Sequence, residues 1–578
     1  MSTRFERMRV DRRFTTSIPS AVSASPSEVA ASASAERAEA FDVIVVGAGF
    51  AGLYALYRLR AGGLSVRVFE QGAGIGGTWF WNRYPGARCD VDSVDYSYSF
   101  SEDLEQEWTW TERYPAQAEI LRYLEHVAER FDLRRDIELN ARVASARFLD
   151  AQSRWRVTLA DGRDVVARHV VMATGCLSSI NPPRFDGLDR FAGPWFHTAR
   201  WPTDGVELSG KRVGIIGTGS TAIQAIPQLA KQASHLFVFQ RTPNFSVPAH
   251  NAPLSAEESS LVKASYRERR RLSRESQGGL PATHPDVALT RSALELTPTE
   301  RAEAFERGWR QGGIPGLLFA CGDTLTSADA NELVAEFVRA KIRTAVGRPG
   351  IAELLVPTDH PIGTKRICVD IDYYETYNRD NVTLVDVRQD PIEEITKGGV
   401  RTARGEYQLD LLVLATGFDA MTGSLRQIEI VGCHGERLAE KWASGPRTYL
   451  GLACAGFPNL FIVTGPGSPS VISNMVVSIE QHVEWISDCI AHLAVHDLSR
   501  IEATIDAENS WVEHVNDVAA ATLYPRAESW YVGANVPGKP RVFMPYVGGV
   551  GAYRAICDRV RADGYDGFKL GEPSHEHR

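Results

Sequence analysis

Residues 41–70, FDVIVVGAGFAGLYALYRLRAGGLSVRVFE, decide the fold of this chain. A β-branched strand runs into a turn with Gly47, Gly49 and Gly52 in GxGxxG spacing, and an apolar helix and a second strand follow. Glu70 ends the second strand, eighteen positions beyond Gly52. Such glycines allow the turn, let the backbone approach a diphosphate and let the helix pack on the strand. The stretch predicts a dinucleotide-binding unit, with the diphosphate at the helix N-terminus and Glu70 on a ribose hydroxyl; the alternative is a glycine turn without a ligand.

A second unit of the same kind begins at Lys211, in KRVGIIGTGSTAIQAIPQLAKQASHLFVFQRTPN. Gly217 and Gly219 again form the turn, but the strand that follows the helix ends in Gln-Arg-Thr and has no acid there. A carboxylate would repel a 2′-phosphate, whereas Arg241 can form charge-assisted hydrogen bonds with it. The second unit is therefore predicted to bind NADPH; the alternative is that Arg241 is a solvated surface charge.

Length and composition limit the number of domains and the classes of function that this chain can have. A chain of 578 residues exceeds what one hydrophobic core supports, so two or three domains are expected. The net charge of −9 offers no basic surface for nucleic acid, and no apolar run is long enough to span a membrane. The eight cysteines contain no CxxC pair, which favours reduced thiols in a cytoplasmic protein over a disulfide framework or a metal site.

Two further stretches suggest how the chain is divided. VVMATG (170–175) and LLVLATG (411–417) are apolar strands that end in Ala-Thr-Gly, and each is interpreted as a crossing between domains. We expect an α/β protein with two Rossmann-like dinucleotide-binding domains. The expected parts are a disordered tail (1–40), a FAD-binding domain (41–176 and 411–578) and an NADPH-binding domain (177–410) that contains a helical insertion (250–355).

Two motifs carry a resemblance to a known family. FAGPWFHTARWP (191–202) matches the FxGxxxHxxxW[P/D] fingerprint of type I Baeyer–Villiger monooxygenases, and GGTWFWNRYPGARCD (76–90) matches their second signature. GTKRICVDIDYYETYNRDNV and SWYVGANVPGKPR are also similar to blocks of that family. The resemblance extends from residue 41 to the C-terminus and is strongest to phenylacetone monooxygenase. The fingerprint residues are Phe191, Gly193, His197, Trp201 and Pro202.

The resemblance implies an enzyme that converts ketones to esters or lactones with O2, FAD and NADPH through a peroxyflavin, and that retains NADP⁺ during oxygenation. It also implies a small-molecule ketone substrate and a monomer. One alternative is a heteroatom monooxygenase that oxidises sulfides or amines. Another is a non-catalytic flavoprotein that senses NADPH, but such a sensor needs no cation beside an oxyanion.

The same resemblance assigns residues to roles. Arg366 supplies a fixed cation, which suits the reaction because a guanidinium stays charged at working pH. Asp90 pairs with it, and Lys365 contacts NADP. His197 is interpreted as a hydrogen-bonding strut between the domains rather than an acid or base, with Phe191 and Trp201 as anchors in the two domains.

The remaining candidate residues fall into three groups. The FAD group comprises Gly47, Gly49, Phe50, Ala51, Gly52, Glu70, Gly77, Thr78, Trp79, Trp81, Asp90, Tyr96, Val143 and Met475. The NADP group comprises Arg88, Gly217, Thr218, Gly219, Ser220, Thr221, Gln224, Arg241, Thr242, Lys365, Arg366 and Trp530. The substrate group comprises Ser470, Val471 and Met475.

Overall fold

The computed structural model describes residues 39–288 and 291–571. The tail predicted to be disordered, 1–40, lies outside the described residues except for its last two positions, which begin the first strand.

The strands of the described residues are numbered in chain order. They are β1 Glu39–Val46, β2 Val66–Phe69, β3 Ile137–Glu138, β4 Val143–Leu149, β5 Arg154–Leu159, β6 Asp164–Met172, β7 Trp195–His197, β8 Arg212–Ile216, β9 His235–Gln240, β10 Ser246–Pro248, β11 Cys368–Asp370, β12 Val382–Asp386, β13 Ile392–Ile395, β14 Gly399–Thr402, β15 Gly405–Gln408, β16 Leu411–Leu414, β17 Glu429–Val431, β18 Leu460–Ile462, β19 Ile501–Ala503 and β20 Phe568–Leu570.

The α-helices are numbered in the same way. They are α1 Phe50–Ala61, α2 Thr78–Trp81, α3 Glu102–Glu107, α4 Gln117–Arg130, α5 Ser220–Gln232, α6 Ala256–Glu275, α7 Pro298–Gln311, α8 Gly313–Leu318, α9 Ala328–Ala345, α10 Pro349–Leu355, α11 Tyr373–Thr376, α12 Gly423–Arg426, α13 Leu438–Lys441, α14 Met475–Val495, α15 Ile505–Ala520 and α16 Val550–Ala562.

The first sheet is built around the glycine-rich stretch near the start of the described residues. Its strand order is β17-β4-β5-β6-β1-β2-β3, with β18 beside β6. β1 and β2 pair in parallel, with Val43 opposite Val66. The four residues Val43–Val46 are all buried, which fits a parallel strand covered on both faces.

The second sheet is a five-stranded sheet in the order β12-β9-β8-β16-β7, and all its pairings are parallel. Together with the first sheet it makes the α/β fold of two Rossmann-like units that the sequence predicts. β16 pairs with both β8 and β7, so residues 411–414 belong to the second sheet. The predicted return to the FAD domain at 411 is therefore early, and we propose residue 415 as the crossing.

Both Ala-Thr-Gly stretches lie where the chain leaves a sheet, and the two exits meet. Ile180 and Phe418 form an antiparallel bridge just beyond them. Each stretch also contacts the glycine turn of its own unit. A Cβ on Gly47 would lie 2.6 Å from the Ala173 carbonyl oxygen, and a Cβ on Gly217 would lie 2.5 Å from that of Ala415. Both glycines also have positive φ, +104° and +114°, so any side chain there is excluded on two grounds.

The segment predicted as a helical insertion contains α6 to α10. Capping boxes begin two of these helices, at Ser255 with Glu258 and at Thr297 with Glu300. In each box the Ser or Thr side chain accepts from the backbone of the Glu three positions on, and the Glu side chain accepts from the Ser or Thr backbone.

All eight cysteines are buried and free. Within residues 39–288 and 291–571, the helices are either too short or too polar to cross a membrane.

Candidate active site

A deep cavity opens at the glycine turn that follows β1. The predicted FAD residues that line it are Gly47, Gly49, Phe50, Ala51, Glu70, Gly77, Thr78, Trp79, Trp81, Tyr96, Val143 and Met475. Gly52 does not line the cavity; a Cβ there would lie 1.8 Å from the Gly47 carbonyl oxygen, so this glycine serves helix packing. Asp90 also lies elsewhere, in a second cavity.

The chemistry of this cavity fits FAD. α1 begins at Gly49 with neither a side-chain cap nor an acid in its first turn, so its first N–H groups are left for an anion. Glu70 accepts hydrogen bonds from the Ala48 and Gly72 amides at 2.8 and 2.7 Å, one on each oxygen. Each oxygen keeps a lone pair for a ribose hydroxyl. Burial raises the pKa of Glu70, and the two amide bonds offset part of that rise.

The second glycine turn leaves room for a ligand in the same way. Gly219 is the N-cap of α5 and offers no side-chain cap, and the first turn of the helix contains Ser220 and Thr221 and no acid. A Cβ on Gly219 would meet nothing within 4 Å, so the turn faces open space. Thr218 donates a hydrogen bond of 2.9 Å to the Thr242 carbonyl, which ties the turn to the end of β9.

Two residues assigned to NADP are engaged by the protein itself. Gln224 accepts from the Tyr84 hydroxyl at 2.8 Å and donates to the Arg88 carbonyl at 3.1 Å. Arg88 pairs with Glu112 at 3.2 Å and donates to the Tyr114 carbonyl at 2.7 Å. These contacts hold the 84–88 loop of the second signature against α5, and we propose a positioning role for both residues.

Three cations gather beyond the C-terminal ends of β9 and β12. Burial lowers the pKa of Lys365, the Asp359 carboxylate opposes that shift, and the nearby Arg241 and Arg388 guanidinium groups lower the pKa further. Arg388 pairs with Asp386 at 3.6 Å. Within the described part of the chain Arg241 has no acidic partner, so its charge is available to an anion. Arg388 lies 147 positions beyond Arg241, and no motif in the sequence connects the two.

Arg366 and Asp90 form a bidentate ion pair. Nε and Nη2 of Arg366 donate to the two carboxylate oxygens of Asp90 at 2.7 and 2.8 Å. Nη1 donates to the Val471 carbonyl at 2.7 Å. Burial alone raises the pKa of Asp90, but the adjacent guanidinium outweighs it and holds the pKa below its usual value. Burial likewise lowers the pKa of Arg366, and Asp90 more than reverses that, so both groups stay charged.

The ion pair lies in the wall of the second cavity, which is mostly apolar. The helical insertion supplies much of that wall through Leu280, Ile314, Pro315, Leu318, Phe319 and Leu325. Tyr524 and Tyr531 also line it, and Tyr531 lies close enough to hydrogen-bond with Arg366. Sequence reasoning missed both tyrosines and named Trp530, which is absent from the lining of either cavity. Tyr531 is the immediate neighbour of Trp530, so the SWYVG motif does point to this segment. A 3-10 helix of one turn is too short for the sequence pattern to show which of the two side chains faces the cavity.

The segment 470–475 separates the two cavities. Val471 and Met475 line the first cavity, whereas Ile472, Ser473 and Asn474 line the second. Ser470 lines neither. It is fully buried and lies 3.2 Å from the Cys176 thiol, so its assignment to the substrate pocket is wrong.

The fingerprint stretch is not a free linker, because Trp195–His197 forms β7 at the edge of the second sheet. Phe191 and Trp201 both pack against that sheet, in separate clusters, rather than one in each domain. Gly193 is required by a close approach, since a Cβ there would lie 2.5 Å from the Asp410 carbonyl oxygen. Pro202 directly follows Trp201 and lies outside the strands and helices.

His197 is buried at the end of β7. Its Nδ1 accepts from the Ala199 amide at 3.1 Å, and its Nε2 has no partner in the described residues. Burial and the charge of Arg200 lower the pKa of His197 to about 4, so the ring is neutral at pH 7. A neutral ring bonded only to its own turn is no acid, and the strut role stays a prediction.

Comparison with known proteins now places the chain in a family. Residues 41–265 match the family described as pyridine nucleotide-disulphide oxidoreductase. A Baeyer–Villiger monooxygenase of Pseudooceanicola batsensis is 41% identical, over 91% of this chain and 95% of the relative.

Solved structures agree with this. An oxidised steroid monooxygenase bound to NADP is 54% identical with a TM-score of 0.88, over 92% of this chain and all of that one. OTEMO in complex with FAD and NADP is 40% identical with a TM-score of 0.89, over 93% of this chain and all of that one. The chain belongs to the Baeyer–Villiger monooxygenases. It is a flavin-dependent oxidoreductase that uses FAD, NADPH and O2 to convert ketones to esters or lactones.

Proposed function

We propose that this enzyme oxidises apolar ketones held in the second cavity, beside Arg366. The observation that carries the proposal is the bidentate Arg366–Asp90 pair in the wall of a cavity lined by the aliphatic and aromatic side chains of the helical insertion. An apolar wall favours binding of a hydrocarbon skeleton, and a fixed cation stabilises an oxygen that becomes negative during the reaction. A ketone has both features.

The first cavity is proposed to hold FAD through the α1 N-terminus and Glu70, and α5 with Arg241 and Lys365 to hold NADPH. FAD, when bound, supplies hydride acceptance from NADPH and the activation of dioxygen. Arg241 and Lys365 favour NADPH over NADH because a 2′-phosphate would relieve the repulsion between two neighbouring cations.

The role proposed for Arg366 follows from how its donors are shared. Two N–H groups are held by Asp90 and one by Val471, which fixes the plane of the guanidinium. A guanidinium carries five N–H donors, so two remain for Tyr531 and the substrate. Because the ion pair is already formed, no reorganisation is needed when the ketone carbonyl oxygen gains negative charge.

A ketone panel with the purified holoenzyme tests the proposal. Ester or lactone products, identified by mass spectrometry, should form from apolar ketones more readily than from polar ketones of similar size. A second test is the variant Leu318→Ala, which enlarges the second cavity and should shift the substrate preference towards larger ketones. Products from small polar ketones alone, or a preference unmoved by Leu318→Ala, would contradict the assignment of this cavity to the substrate. A cytoplasmic location and a monomeric state stay predictions, and size-exclusion chromatography tests the second.

A further inference from the structure

Arg200 is a cation in the wall of the first cavity that the roles described so far do not use. It follows β7 and therefore belongs to the second sheet by sequence, yet its side chain lines the cavity assigned to FAD. Its guanidinium lies over the Trp81 ring, 4.0 Å from the ring centroid. Its only hydrogen bond of the described residues is a 3.0 Å contact to the adjacent Ala199 carbonyl.

The charge of Arg200 is not balanced by the protein. No carboxylate of the described residues lies within ion-pair distance of it, and burial lowers its pKa from the ordinary value. The one acid among the cavity's lining residues is Glu70, whose two oxygens already hold backbone amides. Arg200 is exposed, so its guanidinium can approach an anion that binds in the cavity.

The position of Trp81 shows where such an anion would lie. Trp81 ends α2, and the N-cap of α2, Gly77, lies against the Gly49 turn. A Cβ on Gly72 would lie 3.1 Å from both the Trp81 ring and the Glu70 carboxylate. The guanidinium thus stacks on a ring whose helix starts beside the Gly49 turn and ends beside Gly72, and the adenosine diphosphate half of a dinucleotide runs along such a turn towards the carboxylate that follows it.

We infer that Arg200 is a FAD-binding residue, which reaches from the second sheet across Trp81 to the diphosphate and closes the first cavity over it. The inference rests on the proposed assignment of that cavity to FAD. Stacking on Trp81 orients the planar fork, and the fork can form two parallel hydrogen bonds to a phosphate. Because Arg200 is three residues from His197, the placement of the second sheet and the retention of FAD are then linked.

Binding measurements on the full chain test this without any turnover. Apoprotein is titrated with FAD, and dissociation constants are read from flavin fluorescence, for the wild type, Arg200→Gln and Arg83→Gln. Arg83 is the matched control: its guanidinium also stacks on a ring, that of Phe80 at 4.8 Å, but it is not among the lining residues of the cavity. Arg200→Gln should weaken FAD roughly tenfold to a hundredfold, and ADP as a competitor by a similar factor, while Arg83→Gln should change neither.

The outcomes separate this inference from the assignment on which it rests. Unchanged FAD and ADP affinity in Arg200→Gln would overturn the inference, as would weakening of NADP⁺ instead. Gly49→Val fills the glycine turn, so unchanged FAD affinity in that variant would overturn the assignment of the cavity itself. If Arg200→Gln does not fold, Arg200→Met keeps the apolar stem over Trp81 and should show the same loss of FAD affinity.

Discussion

Replacing Arg366 with alanine separates the two effects of its ion pair. The change leaves the Asp90 carboxylate without the two hydrogen bonds, 2.7 and 2.8 Å, that hold it charged. Removing one partner of a buried ion pair lowers the free energy of unfolding by about 3–5 kcal/mol. We expect a loss near the lower value, because 21% of the Arg366 side chain and 22% of the Asp90 side chain are exposed. Loss of one preorganised cation also slows the chemistry by about a hundredfold to a thousandfold.

A double variant distinguishes these losses. Arg366→Ala with Asp90→Ala removes the stranded carboxylate, so it should recover most of the stability but none of the ester formation. The assay compares NADPH consumed with ester produced, at saturating FAD, alongside denaturant unfolding of each variant. Arg366→Lys should rescue poorly, because an ammonium supplies the charge without the planar fork. Ester formation within threefold of wild type in the stable double variant would refute the role given to Arg366.

Three further outcomes are expected. Arg241→Ala should raise the KM for NADPH roughly tenfold to a hundredfold and leave NADH nearly unchanged, and equal losses with both coenzymes would show that Arg241 does not contact the phosphate. His197→Ala should retain FAD but lower the share of NADPH recovered as ester, which hydrogen peroxide and product measurements check; an unchanged share would end the strut hypothesis. Burial lowers the pKa of His169 to about 4, from an ordinary 6.5, so its contribution of about 3 kcal/mol is complete above pH 6.5 and is lost as the pH falls towards 4. Unfolding of His169→Phe should therefore depend less steeply on pH over that range than unfolding of wild type.

Much of the fold could be predicted from the sequence because its signals are local. GxGxxG between a strand and a helix specifies backbone conformation directly, and Gly47 and Gly217 do adopt positive φ. The two capping boxes, beginning at Ser255 and Thr297, are also local, because the two bonds of each box span only three residues. Apolar spacing at Val334, Val338 and Ile342 likewise marks the buried face of α9.

The parts that were missed depend on pairing between distant residues. β7 has only three residues, too few to show alternation, and it becomes a strand by pairing with β16 more than two hundred positions later. Gln224 resembles a ligand-binding residue because it lies in α5 soon after the glycine turn, yet its side-chain amide is bonded to Tyr84 and Arg88. Ser470 faces Cys176 rather than a cavity for the same reason. A single sequence contains no record of these partners.

The placement of Arg366 shows why distant partners matter to the chemistry. Its side chain joins Asp90, from the second signature, to the carbonyl of Val471, from the segment that separates the cavities. Val471 lines the first cavity while Arg366 lines the second, so the guanidinium is bonded to the backbone that faces the other cavity. A displacement of this segment, whether by a bulkier cofactor or by a substitution, would therefore break an Arg366 hydrogen bond without touching Asp90. The cation proposed for the ketone oxygen and the wall of the cavity proposed for FAD thus share one backbone segment, so we expect a shift of one to displace the other.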